Sequence, residues 1–174
     1  MPSAFSWPMS VPSALRAPAP VNQGVRLFTH RHRMSFEILK YPHGAPCSSD
    51  EFEQAQRELG HRLPDALVEV YTQANGFNGP TGAAFLYPLI STTKATSAVS
   101  HTLYLRSDPV QPEFWSRCIA FGDFGVGGYW GIEVSTQRIF EWWPDDGDEI
   151  TYIESSLHEL WHEKEAWYAK NAQA

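Results

Sequence analysis

The residue pattern with the clearest catalytic potential is His158-Glu159-Leu160-Trp161-His162, an H-E-x-x-H sequence within a predicted helix. Two imidazoles one helical turn apart can bind zinc, and the glutamate between them can take a proton from metal-bound water. Such a site needs a third protein ligand, but Tyr168 stands where the extended motif has its third histidine. We therefore predict no metal and no cofactor, and keep a zinc hydrolase as the alternative.

Three further patterns resemble functional motifs but lack the context that those motifs need. Asp123-Phe124-Gly125 matches the metal-binding tripeptide of protein kinases, without their glycine-rich or catalytic loops. Gly125–Trp130 has a tryptophan at the third glycine position of the dinucleotide pattern, and the acids of 145–149 lack the spacing of a calcium loop. Neither Cys47 nor Cys118 has a neighbour that marks a nucleophile. We interpret the three motif-like patterns, at residues 123–125, 125–130 and 145–149, as turns.

Composition predicts a folded protein that does not depend on disulfides. The 174 residues are enough to bury a core, and 43% of them are apolar. The two cysteines are far apart in the sequence, show no C-x-x-C spacing and follow no secretory signal. We predict reduced thiols in a cytoplasmic protein.

The charge is unevenly distributed along the chain. The whole sequence has 13 basic and 20 acidic residues, and residues 1–36 hold four of the arginines and none of the acids. The remaining chain therefore has a formal charge of −11 with neutral histidines. This balance argues against binding to nucleic acid or to an anionic membrane, and it favours a partner with a basic surface.

The first 33 residues are rich in proline, alanine and serine and show no helical or strand periodicity. They contain neither the apolar run of a signal peptide nor a membrane span. We predict a disordered tail or an over-extended start with Met34 as the true initiator, and one domain over residues 34–174.

Two short amphipathic helices are predicted between Ser48 and Gly76. Ser48 with Glu51 forms a capping-box pattern, and a helical apolar stripe follows. A tight corner then joins the two helices, and Asn75-Gly76 is predicted to stop the second one. The motif residues of this region are Leu59, Gly60, Leu63, Pro64, Asn75 and Gly76.

The remaining chain is predicted to contain more strand than helix. Residues 36–41 and 83–89 are expected to be strands, and residues 96–105 a weak helix. A four-stranded meander is expected over residues 117–121, 129–134, 138–143 and 149–153. Ser156 with Glu159 caps a last helix.

We expect Val134 to pair with Arg138 across a three-residue loop. Trp130 would then oppose Trp142, and Ile132 would oppose Phe140, on a core face. The other face would carry aromatic and acidic side chains, continued by the acids of the next turn. These predicted partner-binding residues are Tyr129, Glu133, Glu141, Trp143, Asp145, Asp146 and Asp148.

The order of these motifs, from Glu58–Pro64 to the last capped helix, resembles the SUKH superfamily, which includes fungal cell-wall regulators related to the Smi/Knr proteins. The other segments that carry the resemblance are L-Y-P-L (86–89), I-A-F-G-D (119–123), G-Y-W-G-I-E (128–133) and R-I-F-E-W (138–142). The likeness covers about residues 36–168.

The resemblance implies an α+β fold, a curved and largely antiparallel sheet backed by helices, and no catalysis. It also implies an immunity protein that binds and neutralises a cognate bacterial toxin domain, such as a nuclease or deaminase, by stoichiometric occlusion. A regulatory scaffold like the fungal relatives is the alternative. A toxin that cleaves nucleic acid has a basic cleft, which the acidic and aromatic sheet face would complement.

Overall fold

A computed structural model describes residues 37–91, 93 and 95–171. The predictions for residues 1–33 lie outside this range. The helices are α1 (Ser49–Leu59), α2 (Asp65–Tyr71), α3 (Ala98–Ser107) and α4 (Leu157–Asn171). The strands are β1 (His43–Gly44), β2 (Asn75–Phe77), β3 (Cys118–Asp123), β4 (Tyr129–Glu133), β5 (Ile139–Trp142) and β6 (Thr151–Ile153). Short 3₁₀ helices cover Ile38–Lys40, Glu113–Arg117 and Pro144–Asp146.

Helix α1 begins and ends as its sequence predicts. The Ser48 hydroxyl accepts a hydrogen bond from the Glu51 amide, and the Ser48 amide donates to the Glu51 carboxylate at 2.8 Å. Gly60 ends the helix with φ of 72°, a left-handed conformation that glycine adopts without a steric penalty. The apolar stripe of α1 is buried at Ala55 and Leu59. The predicted capping box and C-cap are confirmed.

Helix α2 is shorter than predicted because the chain after it turns into a strand. Pro64 is the N-cap residue, and the helix ends at Tyr71 before Asn75-Gly76 is reached. Asn75 accepts a hydrogen bond from the Leu89 amide at 2.7 Å through its side-chain oxygen. Gly76 has φ of 82°, and an added Cβ would lie 2.7 Å from the Pro88 nitrogen. These two residues therefore hold β2 against the 86–89 segment rather than stopping a helix.

Two of the predicted strands are absent from the structure. The first residue of the predicted strand 36–41 lies outside the described range, and in residues 37–41 the chain forms the 3₁₀ turn Ile38–Lys40, because Ile38 is buried and its carbonyl accepts from the Tyr41 amide. Residues 83–89 are buried or half-buried, and in the described structure they form an isolated bridge, Phe77–Leu86, instead of a strand. Two backbone hydrogen bonds, from the Tyr87 amide to the Phe121 carbonyl and from the Asp123 amide to the Ala84 carbonyl, also join them to β3. The two-residue strand β1, which pairs with β2, was not predicted.

The predicted meander is confirmed as a four-stranded antiparallel sheet in the order β3-β4-β5-β6. Its predicted register is wrong by one residue. The Glu133 amide bonds to the Arg138 carbonyl at 2.9 Å, and Gln137 adopts φ of 58°. Four residues therefore form the loop, instead of the three that were expected, and Trp130 pairs with Glu141 rather than with Trp142.

Both faces of this sheet are covered by apolar side chains. One face joins the larger core, which α1, α2 and α4 also fill; its fully buried aromatic side chains include Tyr71, Phe85, Phe121, Trp130 and Trp161. The other face packs against α3 and the Glu113–Arg117 turn; this smaller core contains Leu105, Phe114, Trp115, Cys118, Ala120, Phe140 and Trp142. The expectation of one core face and one acidic face is therefore wrong.

The two remaining helices also begin at serine caps, of which only that of α4 was predicted. Ser97 caps α3 through Ser100, and the Ser156 hydroxyl accepts from the Glu159 amide at the start of α4. No helix in the described part of the chain has the length and hydropathy to cross a membrane. The predicted class, an α+β domain with an antiparallel sheet backed by helices, is confirmed.

Candidate partner-binding surface

The shifted register separates the residues that were predicted to form one surface. Tyr129 and Glu133 lie on the sheet face of the smaller core, beside Phe140 and Trp142. Glu141 lies on the opposite face, because it pairs with Trp130. The prediction that Tyr129, Glu133, Glu141 and Trp143 share one face is therefore wrong, and each position has its own environment.

Glu133 is a structural carboxylate in this fold. Its side chain is only 11% exposed and accepts hydrogen bonds from Thr136 at 2.6 Å and Arg117 Nε at 3.0 Å. The Tyr152 hydroxyl donates a third at 3.2 Å. The bond from Thr136, with those from Arg117 and Tyr152, holds the pKa of Glu133 below its usual range. Because these groups come from β6, the β4–β5 loop and the 3₁₀ turn before β3, Glu133 ties three segments together.

Glu141 is likewise committed to a contact within the domain. Its carboxylate lies 2.5 Å from Lys164 Nζ on α4 and accepts from Trp130 Nε1 at 3.3 Å. All three side chains are buried or half-buried. The pair therefore fastens α4 to β5, and little of Glu141 remains for a partner.

Trp143 is the predicted aromatic residue that remains available. Its side chain is 38% exposed, and its ring packs on Phe124 with 4.9 Å between centroids. The turn after β5 is fixed on the other side of the strand, because Trp142 Nε1 donates to the Gly147 carbonyl at 2.7 Å. Trp143 is thus held in place by one ring contact while one side faces solvent.

The acids that follow Trp143 form the most negative exposed segment of the described chain. Asp145, Asp146 and Asp148 are exposed, and none of them forms an ion pair within the described residues. We call residues 143–148 the acidic loop. An exposed indole beside unpaired carboxylates is a combination found at protein interfaces with basic partners.

Tyr129 belongs to a cluster of rings that the sequence did not predict. Its ring lies 4.8 Å from His101 and stacks on Trp142 at 5.7 Å between centroids. Tyr104 lies 6.1 Å from His101 on the same helix, and Asp123 pairs with Tyr129 across the strands. Burial raises the pKa of Tyr129, and the nearby Asp123 adds to this effect. The i, i+3 spacing of His101 and Tyr104 was the available sequence signal.

The H-E-x-x-H residues have separate roles in α4. The Glu159 carboxylate accepts from the Ser156 amide at 2.7 Å and from the Ser156 hydroxyl at 2.8 Å, so it caps the helix. His158 packs beside Trp161, while His162 is exposed. Within the described residues, no group of three or more His, Cys, Asp or Glu side chains is arranged to hold a metal ion.

The two cysteines are free and buried. Burial, strengthened by Glu51 near Cys47 and by Glu133 near Cys118, raises the pKa of each thiol to about 12. Both thiols therefore stay protonated at neutral pH, whereas a nucleophilic cysteine must be a thiolate.

Comparison with known proteins places this fold in a family. No curated protein matches the chain significantly. The model of the SMI1 / KNR4 family (SUKH-1) matches residues 46–162, from the approach to α1 to the second turn of α4. The match covers more than half of the 174 residues and includes both helices of the corner and the whole meander. The chain therefore belongs to the SMI1 / KNR4 family (SUKH-1).

Proposed function

We propose that this protein is a non-enzymatic immunity protein that binds a cognate bacterial toxin domain and neutralises it by stoichiometric occlusion. The observation that carries the proposal is the family match over residues 46–162. Bacterial members of the SUKH superfamily resemble immunity proteins, whose toxins include nucleases and deaminases. Such a protein acts in the cytoplasm, where its toxin would reach the nucleic acid.

The charge distribution supports a basic protein partner. Residues 37–174 have a formal charge of −11, and the acidic loop carries three unpaired aspartates. A toxin that acts on nucleic acid needs a basic cleft for the phosphates. Opposite charges on the two proteins would speed their encounter and fix their relative orientation. The same charge disfavours nucleic acid and anionic membranes as direct partners.

Of the seven residues predicted from the sequence, we propose four as the toxin contact: Trp143, Asp145, Asp146 and Asp148. Trp143 supplies a rigid aromatic anchor at low conformational entropy cost, and the aspartates supply charge around it. Tyr129 contributes to the contact indirectly, through its ring contacts with His101 and Trp142. Glu133 and Glu141 act indirectly, because their hydrogen bonds hold the strands that present the loop.

Co-expression with a toxin tests this proposal directly. The toxin to be tested is sought as a C-terminal toxin domain encoded immediately upstream of this gene, and it is produced in a bacterial host with and without the present chain. We expect growth arrest by the toxin alone, rescue on co-expression, and a one-to-one complex of the two purified proteins by size-exclusion chromatography. Failure of both rescue and complex formation would reject the immunity function and favour a regulatory scaffold.

A further inference from the structure

A bulge in β3 brings the Asp123 side chain onto the face of the smaller core. Ala120 pairs with Gly131, but the next pair is Gly122 with Trp130, so Phe121 is the extra residue. Without the bulge, strand alternation would place Asp123 on the opposite face. The bulge instead sets Asp123 directly across from Tyr129.

Within the part of the chain that the structure describes, the Asp123 carboxylate is bound by neutral donors. Its Oδ2 accepts from the Tyr87 hydroxyl at 2.9 Å, and its Oδ1 accepts from the Gly125 amide at 2.7 Å. The side chain is half-buried, and no lysine or arginine of the described chain forms an ion pair with it. Each oxygen still has a free lone pair, since a carboxylate can accept about four hydrogen bonds.

A cluster of aromatic rings lies beside this carboxylate, since Tyr87 donates to it and Tyr129 pairs with Asp123 across the strands. The His101 ring lies 4.8 Å from Tyr129, 5.5 Å from Tyr87 and 6.1 Å from Tyr104, measured between centroids. Tyr104 is 54% exposed, so the cluster reaches the surface. Burial lowers the pKa of His101 despite the opposing effect of Asp123, and its Nε2 is buried without a hydrogen-bond partner in the described structure. A neutral imidazole supplies no counter-charge to Asp123.

This combination of groups has a defined binding chemistry. A half-buried carboxylate attracts a cation more strongly than an exposed one, because water screens it less. Tyrosine rings present a negative face to a cation, and the planar guanidinium stacks on such rings while it bonds a carboxylate through two N–H groups. The same cluster offers no positive group for an anion.

We propose that Asp123, Tyr129, Tyr104 and His101 form a binding site for the guanidinium group of an arginine side chain of a protein partner. The site lies at the β3–β4 turn, and Phe124 of that turn packs on Trp143 of the acidic loop. The partner would thus place one arginine beside Asp123 and further basic groups along the acidic loop. The biological role of the site rests on the proposed function, but its affinity for a guanidinium does not.

Titration with N-acetyl-L-arginine amide, followed by NMR of the full chain, tests this site without any toxin. N-acetyl-L-citrulline amide is the matched control, because its ureido group has the shape of a guanidinium but no charge. We expect saturable shifts at Asp123, Tyr129 and His101, with a dissociation constant on the order of 10 mM for this single side chain. Citrulline amide should bind at least about tenfold more weakly.

A pair of variants distinguishes binding at Asp123 from a general effect of negative surface charge. Asp123→Asn should abolish the saturable shifts, whereas Asp145→Asn, which removes the same charge from the acidic loop, should leave them within about twofold. Tyr104→Leu, at an exposed ring, should weaken binding about threefold. Equal binding of the arginine and citrulline amides, or equal effects of the two Asp→Asn variants, would overturn the proposal. Neither result depends on whether the toxin-binding function is correct.

Discussion

The two ends of the β3–β4 strand pair hold carboxylates on the same sheet face, but they bind them in opposite ways. At one end, Glu133 accepts from Arg117, Thr136 and Tyr152, so a cation and two hydroxyls of the same domain satisfy it. At the other end, Asp123 accepts from two neutral donors of the described residues, the hydroxyl of Tyr87 and the amide of Gly125. The charge of Glu133 is neutralised by Arg117 of the same domain, whereas the charge of Asp123 can still pair with a cation of a partner.

This difference shows why acidity alone does not identify a binding surface. Glu133 and Asp123 have the same charge, and both precede a loop in the sequence. What separates them is the presence of a nearby cation from the same chain. If the comparison is right, changes at the Glu133 end alter stability, and changes at the Asp123 end alter binding.

The largest stability loss is expected for Arg106→Ala, beside the Glu133 end. The guanidinium donates to the carbonyls of Leu59 at 2.7 Å, Cys118 at 3.0 Å and Trp115 at 3.1 Å. Its loss leaves three half-buried carbonyls without this donor, and should lower the free energy of unfolding by about 3 kcal/mol in a urea titration. Arg57→Ala, at an exposed arginine of α1, is the control and should cost less than about 0.5 kcal/mol. A loss for Arg106→Ala below about 1 kcal/mol would contradict this account.

Glu133→Gln should lower the free energy of unfolding by about 2 kcal/mol at neutral pH, since a charged acceptor is replaced by a neutral amide. The folded-state pKa of Glu133 is lowered, so its contribution is present above the unfolded pKa of about 4.3 and is lost as the pH falls through the folded pKa. The gap between wild type and variant should therefore narrow in acid. Urea titrations from neutral pH to about pH 3 measure it. A gap that stays constant or widens would show that the carboxylate charge is not the stabilising feature.

Trp143→Ala should weaken toxin binding at least about tenfold, because an anchor residue is lost from the contact. The same change should lower the free energy of unfolding by no more than about 1 kcal/mol, since the ring is 38% exposed and packs mainly on Phe124. Trp167→Ala is the matched control, because Trp167 is exposed on α4, outside the proposed contact. Calorimetric titration with the toxin measures both affinities. Equal losses of toxin affinity in the two variants would contradict a specific contact at the acidic loop.

The smallest stability effect is expected for Asp123→Asn. The asparagine keeps one oxygen acceptor and loses one neutral hydrogen bond. The free energy of unfolding should therefore fall by less than about 1 kcal/mol. A urea titration beside Glu133→Gln gives the comparison under the same conditions. If Asp123→Asn were as destabilising as Glu133→Gln, the two ends of the strand pair would not differ in the way proposed.

The sequence predicted the parts of the fold that depend on local contacts. Ser48 with Glu51, Gly60, and Ser156 with Glu159 act within one helical turn, so their patterns were sufficient. The loop after Glu133 was predicted one residue too short, because Gln137 adopts a left-handed conformation that non-glycine residues rarely take. The resulting register shift of one residue places Glu141 on the opposite sheet face from Tyr129 and Glu133, so the predicted surface is divided.

The Asp123 cluster depends on contacts that no local pattern shows. It needs the bulge at Phe121, a close approach of residues 84–87 and the side chains of α3. An added Cβ on Gly122 would lie 2.6 Å from the Phe85 carbonyl oxygen, so this glycine allows the approach. Asp123 was interpreted from sequence as a turn residue, which describes its backbone position but not its neighbours.

The most direct test of toxin binding through the acidic loop is a calorimetric titration of the toxin with wild type, Asp145→Lys and Glu163→Lys. Both variants reverse one exposed acidic charge, but Glu163 lies on α4, outside the acidic loop. We expect a one-to-one complex with wild type, binding weakened at least about tenfold by Asp145→Lys, and unchanged affinity for Glu163→Lys. Absence of the wild-type complex, or equal weakening by the two variants, would contradict the account.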